Sequence, residues 1–300
     1  MLGTAWDYQD HPEDFIARLD ALAARGIIVC NPPDAVRWNA DKRYLRELEA
    51  RGAVTVPTLW QEDCDRAGVV AAMDHFDTDR VVVKRQIGAG GLGSPALLYL
   101  AAAGVGTLGV VDDDDVSLSN LQRQILHATG DIGRPKTQSA AHTLHGMNPM
   151  IDIIEHRERL SEDNAKTILS DYDLVVDGSD NFATRYLVAD TAEEAGMPLV
   201  AGALGRFDGS LTVLTPYGAD TDGNPCPRYR DLFPEAPPEG TVPTCAEAGI
   251  LGAVAGVIGT LQAVEALKLI TGVGEPLIGR ILLYDALSVR FQTMRYKRRS

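Results

Sequence analysis

Four side chains stand at intervals that suit the handling of a triphosphate: Asp112, Arg123, Lys136 and Asp180, separated by eleven, thirteen and forty-four residues. A triphosphate needs cations against its oxygens and a carboxylate that reaches a divalent ion. Arg123 and Lys136 supply the first, and Asp180 supplies the second. They sit within Ser119-Asn120-Leu121-Gln122-Arg123-Gln124, Gly133-Arg134-Pro135-Lys136 and Ser179-Asp180-Asn181. Upstream, the glycine loop Gly88-Ala89-Gly90-Gly91-Leu92-Gly93 opens a helix, which places backbone N–H groups and the positive end of the helix dipole where a phosphate can sit. Asp112 follows Gly93 by nineteen residues, at the end of the next strand, where a carboxylate bonds a ribose hydroxyl. The loop and Asp112 alone suit NAD as well as ATP; the two cations and Asp180 are what a dinucleotide leaves without a task. Taken singly, each residue also has a plain reading. Asp112 belongs to the acidic run Asp112 to Asp115, Arg123 is a helix-surface cation, and Lys136 starts a helix. Asp177 and Asn181 divide between capping the next helix and serving the site.

These residues have to be positioned by an α/β framework. Ser94 is the expected N-cap and Pro95 the first residue of a helix running from Ala96 to Ala103 and stopped by Gly104. Strands are expected at Leu108 to Val111, Leu174 to Asp177, Leu199 to Ala203, Leu211 to Leu214 and Ile281 to Tyr284, several with acidic residues at their carboxyl ends, where ligands of open α/β sheets bind. The fold class is therefore α/β, a Rossmann-like doubly wound sheet, with a small N-terminal α/β segment. Pro216 to Pro243 is rich in Pro, Gly and Asp and reads as a long surface loop. Ile250 to Val264 carries no charge but falls short of the roughly 20 residues that span a bilayer. A buried helix is expected there, and no membrane anchor. Gly252, Gly256 and Gly259 recur along it at helical spacing, and such a face suits close approach of another backbone, including one across a subunit interface.

The chain has 300 residues, 45% of them hydrophobic, and a formal net charge of -14. That acidity excludes a non-specific nucleic-acid binder, which would show a basic stripe. The four cysteines, Cys30, Cys64, Cys226 and Cys245, follow no disulfide framework. Met1 to Asp10 has acidic residues where a signal peptide needs a basic end, so a cytoplasmic protein is expected.

With the motifs in this order and spacing, the segment from Gly88 to about Arg290 resembles the MoeB, ThiF and HesA adenylyltransferases, relatives of ubiquitin-activating enzymes. The resemblance implies that Gly88, Gly90 and Gly91 lie against the nucleotide and Asp112 holds the ribose. Ser119, Asn120, Leu121, Gln122 and Arg123 line the phosphates, Lys136 contacts the triphosphate, and Asp180, beside Asn181, works through Mg²⁺. It further implies ATP as cosubstrate, a small ubiquitin-like sulfur-carrier protein ending in Gly-Gly as partner, a homodimer, and a separate sulfur donor. Two other readings stand beside it. A Rossmann dehydrogenase would bind NAD and leave Arg123, Lys136 and Asp180 idle, and a scaffold member would keep the fold without turnover.

Cys245, in Thr244-Cys245-Ala246-Glu247, resembles the crossover-loop cysteine that some members of this family use as a covalent carrier and others do not need. The paired Cys-x-x-Cys motifs of zinc-binding members reduce here to Cys226 alone, and no zinc site is expected. Residues 1–87 instead resemble the front of ATP-grasp carboxylate-amine ligases, through Thr4-Ala5-Trp6-Asp7-Tyr8, Asn31-Pro32-Pro33, Val36 to Leu45 and Val56-Pro57-Thr58, without the catalytic part of such enzymes. The expected organisation is therefore 1–87 and 88–300. Lys84, Arg85 and Gln86 interrupt the apolar run expected of a central parallel strand.

Overall fold

In the computed structural model the described residues are 80–84, in backbone only, together with 90–219, 223–235 and 250–299. The ATP-grasp-like segment before Arg80, Gly88 of the glycine loop and Cys245 lie outside them.

Short β-branched runs form the middle of the sheet because both of their faces are covered. Strand β2 (Thr107–Val111) is buried at every position, and β4 (Val175–Asp177) likewise. With β1 (Arg80–Lys84), β3 (Asp152–His156) and β5 (Leu199–Leu204) they make a parallel set, which β6 (Asp208–Leu214), β7 (Arg280–Asp285) and β8 (Arg290–Arg295) extend as an antiparallel meander. The order is β3-β2-β1-β4-β5-β6-β7-β8. From β1 the chain builds outward to β2 and β3, then returns to the other side of β1 with β4. The switch point therefore lies between β1 and β4, where a doubly wound sheet opens a crevice at its carboxyl edge. β1 lies ahead of residue 88, yet it pairs in regular register with β2 as far as Lys84↔Val111 and with β4 through Val82↔Val175. The charge of Lys84 leaves the ladder intact.

Helices α1 (Gly93–Ala102), α2 (Lys136–Met147), α3 (Ala165–Leu169), α4 (Phe182–Ala195), α5 (Tyr229–Leu232) and α6 (Gly252–Thr271) complete the described elements. Adjacent strand residues feed opposite faces. Val110, Val176 and Val200 join Leu97, Leu100, Leu144, Ala263 and Ala266 under α1, α2 and α6. Val111, Val175 and Leu199 join Ile168, Leu169, Val188 and Ala192 under α3 and α4.

Two expectations are corrected, and a third acquires its partners. Ser94 is not an N-cap: α1 already includes Gly93, and the Ser94 hydroxyl donates back to Gly90 O at 2.8 Å. The Pro216 to Pro243 region is not all loop, since it contains α5 and the bridge Ala219↔Pro225. The close approach expected at the small residues of α6 is made by backbone of the same chain at two of them: a Cβ at Gly252 would strike Gln122 O and one at Gly259 would strike Leu92 O, while one at Gly256 would meet nothing within 4 Å. By length and composition α6 is apolar enough to cross a membrane, but Val254, Ala255, Ile258, Ala263 and Ala266 are buried in the core of this domain. Its Glu265 accepts Leu277 N at 2.8 Å and pairs with Lys268.

Candidate active site

Asp112 extends the β2 ladder by one residue, donating its N–H to His156 O at 3.0 Å, and is 0% exposed. Its Oδ1 accepts Asp114 N at 2.9 Å, an Asx turn that ends the strand abruptly at the carboxyl edge. Asp114 then does what the acidic run did not advertise. Its carbonyl accepts Lys136 N at 3.0 Å, and its carboxylate accepts Lys136 Nζ at 3.0 Å. Lys136, 4% exposed, begins α2 directly after Pro135, and its buried ammonium is held by a charged partner, as a buried cation must be. The backbone bridge Asp115↔Pro135 completes the junction. Beneath α2, His127 Nδ1 meets Ser139 Oγ at 2.8 Å.

Arg123 follows the 3-10 turn Leu118–Asn120 that contains Ser119 and Asn120, and its Nη1 donates to Ser119 O at 3.3 Å. Its stem crosses the glycine loop: a Cβ on Gly91 would sit 3.3 Å from Arg123 Cδ and 3.5 Å from Ala255 Cβ. Gly91 is thus the point where Arg123, α6 and the loop converge, with little room to spare beside the Arg123 stem. Leu121 is half-buried, Gln122 is exposed, and Gln124 is buried with its Oε1 lacking a hydrogen-bond partner.

Asp180 is exposed on the loop after β4, one strand beyond β1 from Asp112, so both project from the same carboxyl edge on either side of the glycine loop. Asp177 is buried and its Oδ1 accepts Ser179 N at 3.0 Å. Asn181 Oδ1 accepts Thr184 N at 2.9 Å, the N-cap of α4. This side chain is committed to the helix. Asn181→Ala is expected to lower unfolding free energy by about 1 kcal/mol in urea denaturation while activity per folded molecule stays level.

Sequence reasoning passed over Asp114, Arg185 and Gln262. Arg185, near the start of α4, donates to Gly202 O at 3.2 Å and to Ser179 O. Burial pushes the neighbouring Tyr229 phenol up to about 12, with the Arg185 guanidinium opposing the rise. Gln262 donates to Asp177 O at 2.7 Å and Val200 O at 3.3 Å. An aspartate two residues after Asp112 was the only one of the three with a local signal. The partners of the other two are backbone carbonyls, 6 and 17 residues away for Arg185 and 62 and 85 for Gln262, which no residue type announces.

Cys226 is buried, and among the described residues no group of three or more His, Cys, Asp or Glu side chains is placed to hold a metal ion.

The chain that forms this edge, with a glycine loop after β1, an acid after β2 and a second acid after β4, is matched over residues 70–300 by a family model for the ThiF family. The chain belongs to the ThiF family. The family match begins ahead of β1 and so covers the whole sheet. The chain is 50% identical over 265 residues to the sulfur carrier protein adenylyltransferase of Thermus thermophilus, which covers 88% of this chain and 90% of that protein. It is 52% identical over 208 residues to the probable adenylyltransferase/sulfurtransferase MoeZ of Mycobacterium tuberculosis, covering 69% of this chain. The chain spans about half of MoeZ, 52% of its length. Among solved structures, E. coli MccB in complex with MccA-N7isoAsn superposes with a TM-score of 0.67 at 18% identity, covering 93% of this chain and 83% of that one. That last likeness speaks for the fold.

Proposed function

We propose that this chain is an ATP-dependent adenylyltransferase that activates the C-terminal Gly-Gly carboxylate of a small ubiquitin-like sulfur-carrier protein. The observation that carries the reading is the carboxyl edge at the β1/β4 switch point, which presents Asp112, the Gly91–Arg123 contact, the Asp114-held Lys136 and Asp180 together. Identity of 50% to the Thermus thermophilus sulfur carrier protein adenylyltransferase, extending over 90% of that protein, supports the choice of substrate.

The chemistry needs little from the protein beyond alignment. A carboxylate is already a nucleophile; one of its oxygens bonds to the α-phosphorus, the α–β phosphoanhydride breaks, and pyrophosphate leaves with the electron pair, giving a carrier acyl-adenylate. Negative charge spreads over the phosphate oxygens during this displacement, so fixed cations lower the barrier. Arg123 stands over the glycine loop for this purpose. Lys136 is the second cation, its position set by Asp114. Asp112 orients the ribose. A dedicated all-protein cage is not what Mg²⁺ requires: it binds through one or two carboxylates plus substrate phosphates. The exposed carboxylate of Asp180 at the crevice fits that role, and Mg²⁺ there would neutralise phosphate charge. The acyl-adenylate is ready for a sulfur nucleophile delivered by a separate donor, and the reading includes a homodimer in the cytoplasm.

The test is ATP:pyrophosphate exchange with purified protein, Mg²⁺ and a panel of sulfur carriers ending in Gly-Gly. Exchange is expected with at least one carrier and is expected to vanish when that carrier lacks its two terminal glycines. No exchange with any carrier, from a folded protein, favours a member that has kept the fold without turnover.

A further inference from the structure

The loop that carries Asp180 is tied down from both faces of the sheet. β4 and β5 stay in register over Val175↔Leu199, Val176↔Val200 and Asp177↔Ala201, and β5 then runs on to Leu204 after β4 has ended. From α6, on one face, the Gln262 amide joins the two strands near the end of that ladder, giving Nε2 to Asp177 O at 2.7 Å and to Val200 O at 3.3 Å. From α4, on the opposite face, the Arg185 guanidinium gives one N–H to Ser179 O and another to Gly202 O at 3.2 Å. Four backbone oxygens, those of Asp177 and Ser179 at the end of β4 and in the loop and those of Val200 and Gly202 on β5, are thus joined by two side chains.

The cost of this arrangement is visible in the same place. Gln262 is 0% exposed, and its Oε1 has no hydrogen-bond partner. A buried amide with half its capacity unmet is disfavoured against an apolar side chain of the same length unless its donated bonds matter. Space has been cleared for it too: a Cβ on Gly202 would lie 2.6 Å from Gln262 Nε2. Ser179, whose carbonyl Arg185 holds, is 1% exposed, so the residue before Asp180 is anchored in the interior while Asp180 itself faces solvent.

We infer that Gln262 and Arg185 are positioning residues that clamp the Asp177 to Asp180 loop to β5 and thereby set the Asp180 carboxylate for the adenylation step. This rests on the role given to Asp180 above. Arginine suits the α4 side because its planar fork reaches two carbonyls at once, which a lysine ammonium on a flexible stem does not do.

The test uses the full chain with Gln262→Met, Arg185→Lys and Arg185→Ala. Hydrogen–deuterium exchange over residues 177–181 is followed alongside pyrophosphate exchange at varied Mg²⁺. Amide exchange in that window is expected to quicken by about tenfold, kcat to fall on the order of tenfold to a hundredfold and half-saturation by Mg²⁺ to rise, with KM for ATP within about twofold of wild type. Arg185→Lys is expected to lie between wild type and Arg185→Ala. Unchanged loop exchange with wild-type Mg²⁺ dependence overturns the clamp, as does a lower melting temperature with normal kcat per folded molecule. If one variant fails to fold, the other carries the same readouts. Wild-type protein without pyrophosphate exchange overturns the adenylation reading itself, and the loop measurement, which needs no turnover, then reports on the clamp's geometry alone.

Discussion

Asp180→Ala is expected to reduce ATP:pyrophosphate exchange by on the order of 10²–10³-fold while the protein unfolds at an unchanged temperature. The two halves of this expectation come from the same fact. Asp180 is exposed, with its neighbours Asp177, Ser179 and Asn181 making the structural bonds of the loop. Removing its carboxylate breaks no fold contact, and surface substitutions of this kind stay within about 0.5 kcal/mol. What disappears is the anion at the switch-point crevice to which the proposed reaction assigns the balancing of a divalent ion against the triphosphate. Asp180→Asn keeps the shape and loses the charge, so it is expected to follow Ala closely. A variant that retains exchange would move the metal-binding role away from this loop. A variant that loses exchange together with its folded state would give Asp180 a structural task instead.

The second large effect concerns α6. Gly259→Ala is expected to destabilise the protein by about 1–3 kcal/mol and to weaken ATP binding, whereas Gly256→Ala, three residues earlier, is expected to stabilise it by up to about 1 kcal/mol. Both changes add the same methyl to the same helix and gain the same propensity. The difference lies in what the methyl meets. At Gly259 it overlaps Leu92 O and lies 2.5 Å from Pro95 Cγ, and neither a backbone carbonyl nor a proline ring can swing aside. At Gly256 nothing lies within 4 Å. Relief at Gly259 requires α6 to slide away from the glycine loop, which carries Gly91 and the Arg123 contact with it. Urea denaturation of the pair, with ATP binding measured on each folded variant, separates the two. Equal effects at both positions would show that α6 does not seat the loop.

Much of the site was legible in the chain because its chemistry is local. A glycine loop, a strand, an acid and a cation at fixed intervals imply a parallel sheet whose carboxyl edge gathers them, and Asp112, Asp180 and the Gly91–Arg123 pair stand there. The buried strands were readable for the same reason: a run such as Leu-Gly-Val-Val in β2 has one use, in the middle of a covered sheet. β3 and β8 were not readable, since Asp-Ile-Ile-Glu-His and Arg-Phe-Gln-Thr-Met-Arg lie at the sheet's two edges and stay largely exposed. The same limit applied to Ser94 and to the α6 glycines. Ser94 follows the loop as an N-cap would, but the helix starts one residue early and turns its hydroxyl back to Gly90. The glycines of α6 announced a close approach without naming the partners, which proved to be Gln122 O at Gly252 and Leu92 O of the glycine loop at Gly259.

Residue types and their spacing therefore determined the chemistry this protein can perform and the fold that assembles it, because phosphate, ribose and metal each demand a particular group and the intervals between strands and loops are set by the chain. Only the tertiary structure decided how those groups are held still. Asp114 on Lys136, Gln262 on Asp177 and Val200, and Arg185 on Ser179 and Gly202 are bonds to groups between 6 and 85 residues away. Most of their acceptors are backbone carbonyls, which every residue possesses and no sequence pattern distinguishes.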